Sequence, residues 1–178
     1  MTKALANAVR RIDAVYQLPF LSHAAMEPMN CTVHVREDAC EIWVGTQNLS
    51  AANQAAVTVT GLAPEKIILH NHIVGGGFGR RLEVDGIVHA VKVAMHVNGP
   101  VKVIWSREED IQHGYYRPYY YDRMSGGIDA QGYPVAWMHR VAGSSIYARI
   151  APAAMRKGVD PDGVEGRSIR RTSSRQYK

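Results

Sequence analysis

The stretch Gly75-Gly76-Gly77-Phe78-Gly79-Arg80-Arg81 sets the fold predicted for its neighbours. An apolar run, Lys66-Ile67-Ile68-Leu69-His70, precedes it, and apolar residues recur at helical spacing behind it, from Val84 to Met95. The order strand, glycines, helix predicts a loop whose backbone N–H groups stand at the head of a helix, where an anion is stabilised. The alternative is a tight turn whose glycines only let the helix pack.

Periodicity from Cys40 to Trp105 predicts the order β-α-β-α-β, the signature of an α/β layer. The predicted strands are Cys40–Val44, Lys66–Ile73 and Val101–Trp105. The first predicted helix carries an apolar stripe of Leu49, Ala52, Ala56 and Val59 and ends at Gly61. The second predicted helix spans Glu83–Val97. The predicted fold class is therefore α/β, of mixed α+β character, with flanking hairpins. The predicted hairpins are Thr32–Arg36 with Cys40–Val44, and Arg123–Ala130 with Pro134–Gly143.

Outside this layer the predictions are simpler. We expect Ala4–Arg11 to form the end of a short helix, followed by a strand over Ile12–Leu18 and a loop over His23–Asn30. Ser106 has the position of a helix cap, and Glu108-Glu109-Asp110 is interpreted as a solvated first turn. The tyrosines of Tyr115–Tyr121 indicate an amphipathic strand with its edges against solvent.

Length and composition suit one globular domain, because 178 residues with 46% hydrophobic content can bury a core. The net charge of +5 is a property of the tail, since residues 167–178 hold five basic residues and no acid. We therefore expect a domain over residues 1–166 and a disordered Ser/Arg tail over 167–178. A basic tail without a basic folded face disfavours nucleic-acid binding, which stays the weakest hypothesis.

The two cysteines, Cys31 and Cys40, do not make a disulfide framework, although a hairpin would bring them near each other. We expect buried free thiols. Neither a membrane-spanning apolar run nor a signal-peptide pattern is predicted, and the compartment stays open between cytoplasm and periplasm.

Known nucleotide and metal motifs do not fit the loop. Gly75, Gly77 and Gly79 give G-x-G-x-G in place of the dinucleotide pattern, and Arg80-Arg81-Leu82 is not the end of a P-loop. Two arginines behind an N–H-rich loop still suit a phosphate. His70 and His72 point the same way on a strand but lack a second ligand pair, so we interpret them as partly buried strand histidines.

Three stretches together resemble one family. They are His23-Ala24-Ala25-Met26-Glu27-Pro28-Met29-Asn30-Cys31, then Gly45-Thr46-Gln47, then Gly75 to Arg81. In this order and spacing the chain resembles the molybdopterin-binding subunit of the xanthine dehydrogenase/aldehyde oxidase family, in the isoquinoline 1-oxidoreductase beta subunit type. Ile104–His113 and Tyr116-Arg117-Pro118 extend the resemblance, which reaches about Gly166.

The resemblance implies a molybdenum hydroxylase that acts on an N-heterocycle or an aldehyde. Its cofactor would be molybdopterin cytosine dinucleotide with molybdenum, and electrons would pass to iron–sulfur clusters on a small partner subunit. By position, Gln47 matches the glutamine that hydrogen-bonds an oxygen ligand of molybdenum, and Phe78 and Gly79 match the loop beside the same centre. Neutral N–H donors stabilise such a ligand without adding charge. Gly76 and Gly77 would let the loop approach, and Arg80 and Arg81 would be phosphate-binding or structural.

Two departures limit what the resemblance carries over. Arg81-Leu82-Glu83 differs from xanthine-specific members, which disfavours a purine substrate. The family's subunit is several times longer, its glutamate base lies beyond the matching region, and no catalytic residue is assigned here. We therefore expect a fragment, inactive alone, whose partner is the remaining part of the subunit; the Ser/Arg tail indicates truncation or a shifted reading frame. The alternative is a non-enzymatic anion- or nucleotide-binding α/β module.

Overall fold

A computed structural model describes residues 2–161 and residue 163. Its contacts separate two compact units, one formed by Phe20–Arg117 and one by the chain up to Pro19 and from Pro118 onward. The strands are β1 Arg10–Leu18, β2 Leu21–Ser22, β3 Asn30–Val35, β4 Cys40–Val44, β5 Ile67–Asn71, β6 Val101–Ile104, β7 Tyr116–Arg117, β8 Tyr120–Ile128 and β9 Pro134–Gly143. The α-helices are α1 Thr2–Ala6, α2 Leu49–Thr60, α3 Asp85–Ala94, α4 Arg107–His113 and α5 Tyr147–Ile150, and 3-10 turns span Pro64–Lys66, Arg80–Leu82 and Pro152–Ala154.

The unit Phe20–Arg117 is built on a four-stranded mixed sheet in the order β5-β4-β3-β6. β3 and β4 form the predicted antiparallel hairpin, β5 runs parallel to β4, and β6 is antiparallel to β3. Strict alternation buries Cys40, Ile42 and Val44 against α2 and α3, while Glu41 and Trp43 face the other way. The predicted β-α-β-α-β order and mixed α/β class are confirmed.

The ends of α2 and α4 follow the sequence signals. The Asn48 side chain accepts the Ala51 N–H, and Gly61 ends α2 in the left-handed region at φ 73°. Ser106 caps α4 by accepting the Glu109 N–H, as predicted. The predicted apolar stripe of α2 is only partly correct, because Ala52 and Ala56 are buried but Leu49 is exposed.

The helix after the glycines begins later than predicted. A 3-10 turn over Arg80–Leu82 follows Gly79, Glu83 is extended, and α3 starts only at Asp85. The N–H groups of the glycine loop therefore do not form the first turn of α3, and the prediction that they stand at a helix head is wrong. The reason is local, since Gly79 in the left-handed region turns the chain before a helix can begin.

The tyrosine-rich segment is two strands and not one. Tyr116–Arg117 pairs with β2, and the next strand starts at Tyr120. Pro118 lies between them, where a residue without an N–H interrupts a ladder.

The other unit contains a three-stranded antiparallel sheet in the order β1-β8-β9. The predicted pairing of its last two strands is confirmed, and the Asp129 side chain accepts the N–H groups of Gln131 and Tyr133 at their turn. α1 ends at Ala6 and β1 begins at Arg10, earlier than predicted. The predicted tail over 167–178 lies outside the described residues. Along the part of the chain that is described, no helix combines the length and apolar character needed to cross a membrane.

Both cysteines are buried and free, as predicted. Cys31 lies opposite Val44 and Cys40 opposite Val35, so the hairpin register does not pair them with each other. Burial raises the pKa of Cys31 to about 12 and that of Cys40 to about 11, which keeps both as inert thiols.

Candidate functional site

The glycine loop, residues Gly75 to Gly79, is held in an unusual backbone conformation. Gly76 and Gly79 have φ of 104° and 97°, and Phe78 adopts φ 53° although it carries a side chain. The Arg80 N–H donates to the Gly77 carbonyl at 2.8 Å, which closes a turn over Phe78. Phe78 is 67% exposed. A strained, exposed aromatic residue at the tip of a fixed turn is typical of a functional loop.

Gln47 contacts this loop directly. Its Oε1 accepts the Gly79 N–H at 3.2 Å, and its own backbone N–H donates to the Arg81 carbonyl at 3.0 Å. A Cβ added at Gly77 would lie 2.5 Å from the same Oε1, so a larger residue there would displace the Gln47 amide from its present position. The structure therefore brings together Gln47, Gly77 and Gly79, which the resemblance assigned to one centre.

The Gly79 contact also orients the Gln47 amide. A backbone N–H can only donate, so the atom facing it is the oxygen, and Nε2 is turned away with both of its N–H groups. Within residues 2–161 and 163, no partner is found for Nε2 or for the backbone N–H groups of Gly77 and Phe78. Gly77 is buried, and unpaired N–H groups at a buried residue are rare. The result is a group of neutral donors suited to a ligand rich in acceptor atoms.

Arg81 anchors the loop from inside. Its side chain is 1% exposed, and its guanidinium donates to the carbonyls of Gly76 and Glu27, each at 2.9 Å, and to that of Gly45 at 3.3 Å. The same group pairs with the Glu27 carboxylate at 3.0 Å. With all these partners supplied by the chain, the contacts favour the structural alternative for Arg81.

Glu27 is the carboxylate that pairs with Arg81. Its Oε2 accepts the Gly75 N–H at 2.7 Å, and its Oε1 accepts from the Asn30 amide at 2.7 Å. Burial opposes the charged form, but the Gly75 N–H, the Asn30 amide and the Arg81 charge outweigh it and hold the pKa of Glu27 below its usual value. Glu27 thus clamps the first residue of the loop.

Arg80 is also engaged by the chain itself. Its side chain is 3% exposed, and its guanidinium forms a bidentate pair with Asp85 at 2.7 and 2.8 Å and lies 5.9 Å from the ring centroids of Trp105 and Tyr115. Burial opposes its charge, but the Asp85 bonds and the neighbouring carboxylates raise the pKa of Arg80. The prediction of Arg80 as a cofactor-binding residue stays a prediction, and its contacts favour the structural alternative.

His23 is a residue that the motif contained but to which sequence reasoning gave no role. Its Nδ1 lies 3.0 Å from the Tyr115 carbonyl, so Nδ1 carries the proton and Nε2 is the acceptor. Nε2 lies 3.6 Å from the place of a Cβ added at Gly79. Burial lowers the pKa of His23, which keeps the ring neutral at neutral pH. Its partner is 92 residues away in sequence, so local pattern carries no signal for the contact.

His70 and His72, both predicted to be partly buried on a strand, differ in position and in exposure. His70 is partly buried, as predicted, stacks on Trp43 with ring centroids 5.0 Å apart and lies 2.9 Å from a Glu41 oxygen. His72 lies past the end of β5 and is exposed, which differs from the prediction. In the described part of the chain, no group of three or more His, Cys, Asp or Glu side chains is arranged to hold a metal ion.

Comparisons with known proteins define the family. Residues 1–160 match the molybdopterin cofactor-binding domain family, and the chain belongs to that family. It is 37% identical over 142 residues to the isoquinoline 1-oxidoreductase subunit beta of Brevundimonas diminuta, a match that covers 79% of this chain and 17% of the relative.

A second relative and a solved structure extend the comparison. The membrane-bound aldehyde dehydrogenase [pyrroloquinoline-quinone] of Gluconacetobacter polyoxogenes is 30% identical over 159 residues, covering 89% of this chain and 21% of the relative. The crystal structure of quinoline 2-oxidoreductase from Pseudomonas putida 86 has the same fold, with a TM-score of 0.63 at 18% identity over 78% of this chain and 18% of that one. The chain thus spans about a fifth of the length of these proteins.

Proposed function

We propose that the glycine loop and Gln47 bind the molybdenum cofactor in a molybdenum hydroxylase that oxidises an N-heterocycle or an aldehyde. The observation that carries this proposal is the bond from the Gly79 N–H to Gln47 Oε1, which leaves Gln47 Nε2 free to donate. The family match supports the cofactor class. The proposed site residues are Gln47, Gly76, Gly77, Phe78, Gly79 and Arg80, with Gln47 and Phe78 beside the metal.

The residues present fit such a group. Gln47 Nε2 and the N–H groups of Gly77 and Phe78 would hold it by donation to its acceptor atoms, because they are neutral and fixed before binding. The absence of a Cβ at Gly77 keeps the Gln47 amide against the loop. When bound, the cofactor would supply the redox chemistry for hydroxylating a carbon atom, and Gln47 and the glycine loop would hold it in place. Arg80 and Arg81 would contribute by fixing the loop, since both guanidinium groups are already occupied.

The finer assignments are also proposals. We propose molybdopterin cytosine dinucleotide as the form of the cofactor, an iron–sulfur small subunit as electron acceptor, and the rest of the molybdopterin subunit as the source of the catalytic base. The Brevundimonas relative is named as a subunit, which supports an assembly of more than one chain. Its name also favours an N-heterocycle over an aldehyde as substrate.

The first test is a binding titration with the 178-residue chain. Molybdopterin cytosine dinucleotide, molybdopterin without the nucleotide and pyrroloquinoline quinone are added separately, and binding is followed by the fluorescence of each ligand. We expect saturable binding of the molybdopterins, tightest for the dinucleotide. Gln47→Ala should weaken binding about tenfold, because it removes one oriented donor and frees the Gly79 N–H.

Gln54→Ala is the matched control, since Gln54 is an exposed glutamine on α2, away from the glycine loop, and its loss should leave the affinity unchanged. Equal affinities for the two variants would remove Gln47 from the site. Binding of pyrroloquinoline quinone but neither molybdopterin would contradict the proposed cofactor.

A further inference from the structure

A chain of four buried or half-buried charges lies beneath the glycine loop. Arg107 donates to Asp110 Oδ2 at 3.0 Å, Asp110 Oδ1 faces Arg80 Nε at 3.9 Å, and Arg80 forms its bidentate pair with Asp85. The side chains of Asp110 and Arg80 are only 4% and 3% exposed. Two arginines and two aspartates leave the group neutral, which is how buried charges are tolerated.

Asp110 was expected to lie on a solvated first turn, and that prediction is wrong. Glu109 beside it is about 60% exposed, as predicted, but Asp110 points inward from α4. The burial of one carboxylate among exposed neighbours costs free energy unless the group has a cation to face, and here it faces two.

Asp110 and Arg80 face each other without forming a hydrogen bond. Asp110 Oδ1 and Arg80 Nε are both fully buried, and neither has a hydrogen-bond partner among the residues that the structure describes. Their separation of 3.9 Å is too long for a hydrogen bond. Gly114 packs closely here, because an added Cβ would lie 2.5 Å from the Asp110 carbonyl and 3.2 Å from Arg80 Nε. Two unpaired polar groups facing each other are unusual in a packed interior.

Two members of this chain of charges, Arg80 and Arg107, contact the glycine loop or the segment beside it. The Arg80 backbone N–H closes the turn over Phe78 by donating to the Gly77 carbonyl. Arg107 donates to the carbonyls of Ala25 and Met26 at 2.6 and 2.9 Å, and Ala25 lies against Gly76, whose added Cβ would be 3.2 Å from it. A change at Asp110 is therefore transmitted to the loop from two sides.

We propose that Asp110 is a positioning residue which, through Arg80 and Arg107, fixes the turn that carries the Phe78 and Gly79 N–H groups. Its relevance to cofactor binding rests on the proposed function, but its effect on the loop does not. Asp110 touches none of the proposed donors itself. It acts by holding Arg80 between two carboxylates and by holding Arg107 on the segment beside Gly76.

The experiment reads the loop in the 178-residue chain without any cofactor. Phe20 and Phe78 are its two phenylalanines, so fluorophenylalanine labelling gives two ¹⁹F NMR signals, assigned with Phe20→Leu. Asp110→Asn keeps the shape and removes the charge. We expect a shifted or broadened Phe78 signal and about tenfold faster hydrogen exchange of the Arg80 amide. The matched control is Glu109→Gln, the exposed neighbour on α4, which should leave both unchanged.

Arg107→Gln is the second variant, used if Asp110→Asn does not fold. The Arg107 side chain is 35% exposed, so its replacement is less damaging to the fold, and this variant should disturb the Phe78 signal in the same way. If the folded variant leaves the Phe78 signal and the Arg80 exchange like those of Glu109→Gln, the proposal is overturned. Because no cofactor is present, these results stand whether or not the chain binds molybdopterin.

Discussion

The two larger sheets in the described part of the chain differ in how far other elements bury them. In the four-stranded sheet, β4 alternates strictly and buries Ile42 completely beneath α2 and α3. In the three-stranded sheet, β9 is exposed along most of its length, and Ile12 of β1 and Trp137 of β9 are 51% and 60% exposed. The candidate site belongs to the covered sheet. A loop with strained backbone needs a rigid support, and the packed core of that unit provides it.

The largest effect expected from this difference is on stability. Ile42→Ala should lower the free energy of unfolding by about 3 kcal/mol, because it leaves a cavity in a closed core. Ile12→Ala, the same change on the other sheet, should cost below about 1 kcal/mol, since that side chain is half exposed. Urea denaturation of both variants checks this. Equal losses of unfolding free energy would show that Ile42 and Ile12 are buried to the same extent in solution.

A smaller effect is expected at low pH, on the exchange protection of the glycine loop. The pKa of Glu27 is lowered in the folded chain, so its contribution to the loop is present above its ordinary value near 4.5 and is lost as pH falls through the folded pKa. Protonation removes the attraction to Arg81 and weakens the bond from the Gly75 N–H. Exchange protection of the Gly75 amide, corrected for the intrinsic rate, should therefore fall below pH 4.5.

Glu27→Gln is the variant that sharpens this result. Its amide still accepts from Gly75 but does not titrate, so protection should be lower and independent of pH. The ion pair Arg11–Asp13 in the other unit is the control. Both side chains are about half exposed, so protonation of Asp13 should leave the exchange of the Gly75 amide unaffected. A pH-dependent Gly75 amide in Glu27→Gln would assign the acid effect to another group.

The features that the sequence predicted well are local ones. Alternation in Cys40–Val44, the Gly61 end of α2 and the Ser106 cap each depend on residues within a few positions of one another. The proximity of Gln47 to the glycine loop came from a resemblance, because 32 residues separate Gln47 from Gly79 and no period connects them.

The contacts that sequence reasoning missed are long-range or run against local preference. Glu27 and Arg81 are 54 residues apart, and their pairing is decided by how β5 returns the chain beside β4. Asp110 stands in an acidic first turn, where exposure is the ordinary outcome, and the positive charges of Arg80 and Arg107 reverse it. The predicted start of α3 at Glu83 is two residues early, because Glu83 and Val84 are residues that a helix also accepts, although Glu83 is extended in the structure.

The central claim is that the Gln47 amide, fixed by Gly79, donates to the bound molybdopterin. The most direct measurement is a titration of the chain, labelled with ¹⁵N-glutamine, with molybdopterin cytosine dinucleotide while the side-chain amide signals are recorded by NMR. We expect the Gln47 Nε2 signals to shift in proportion to saturation while those of Gln54 stay in place. Saturable binding with unmoved Gln47 signals would contradict the claim.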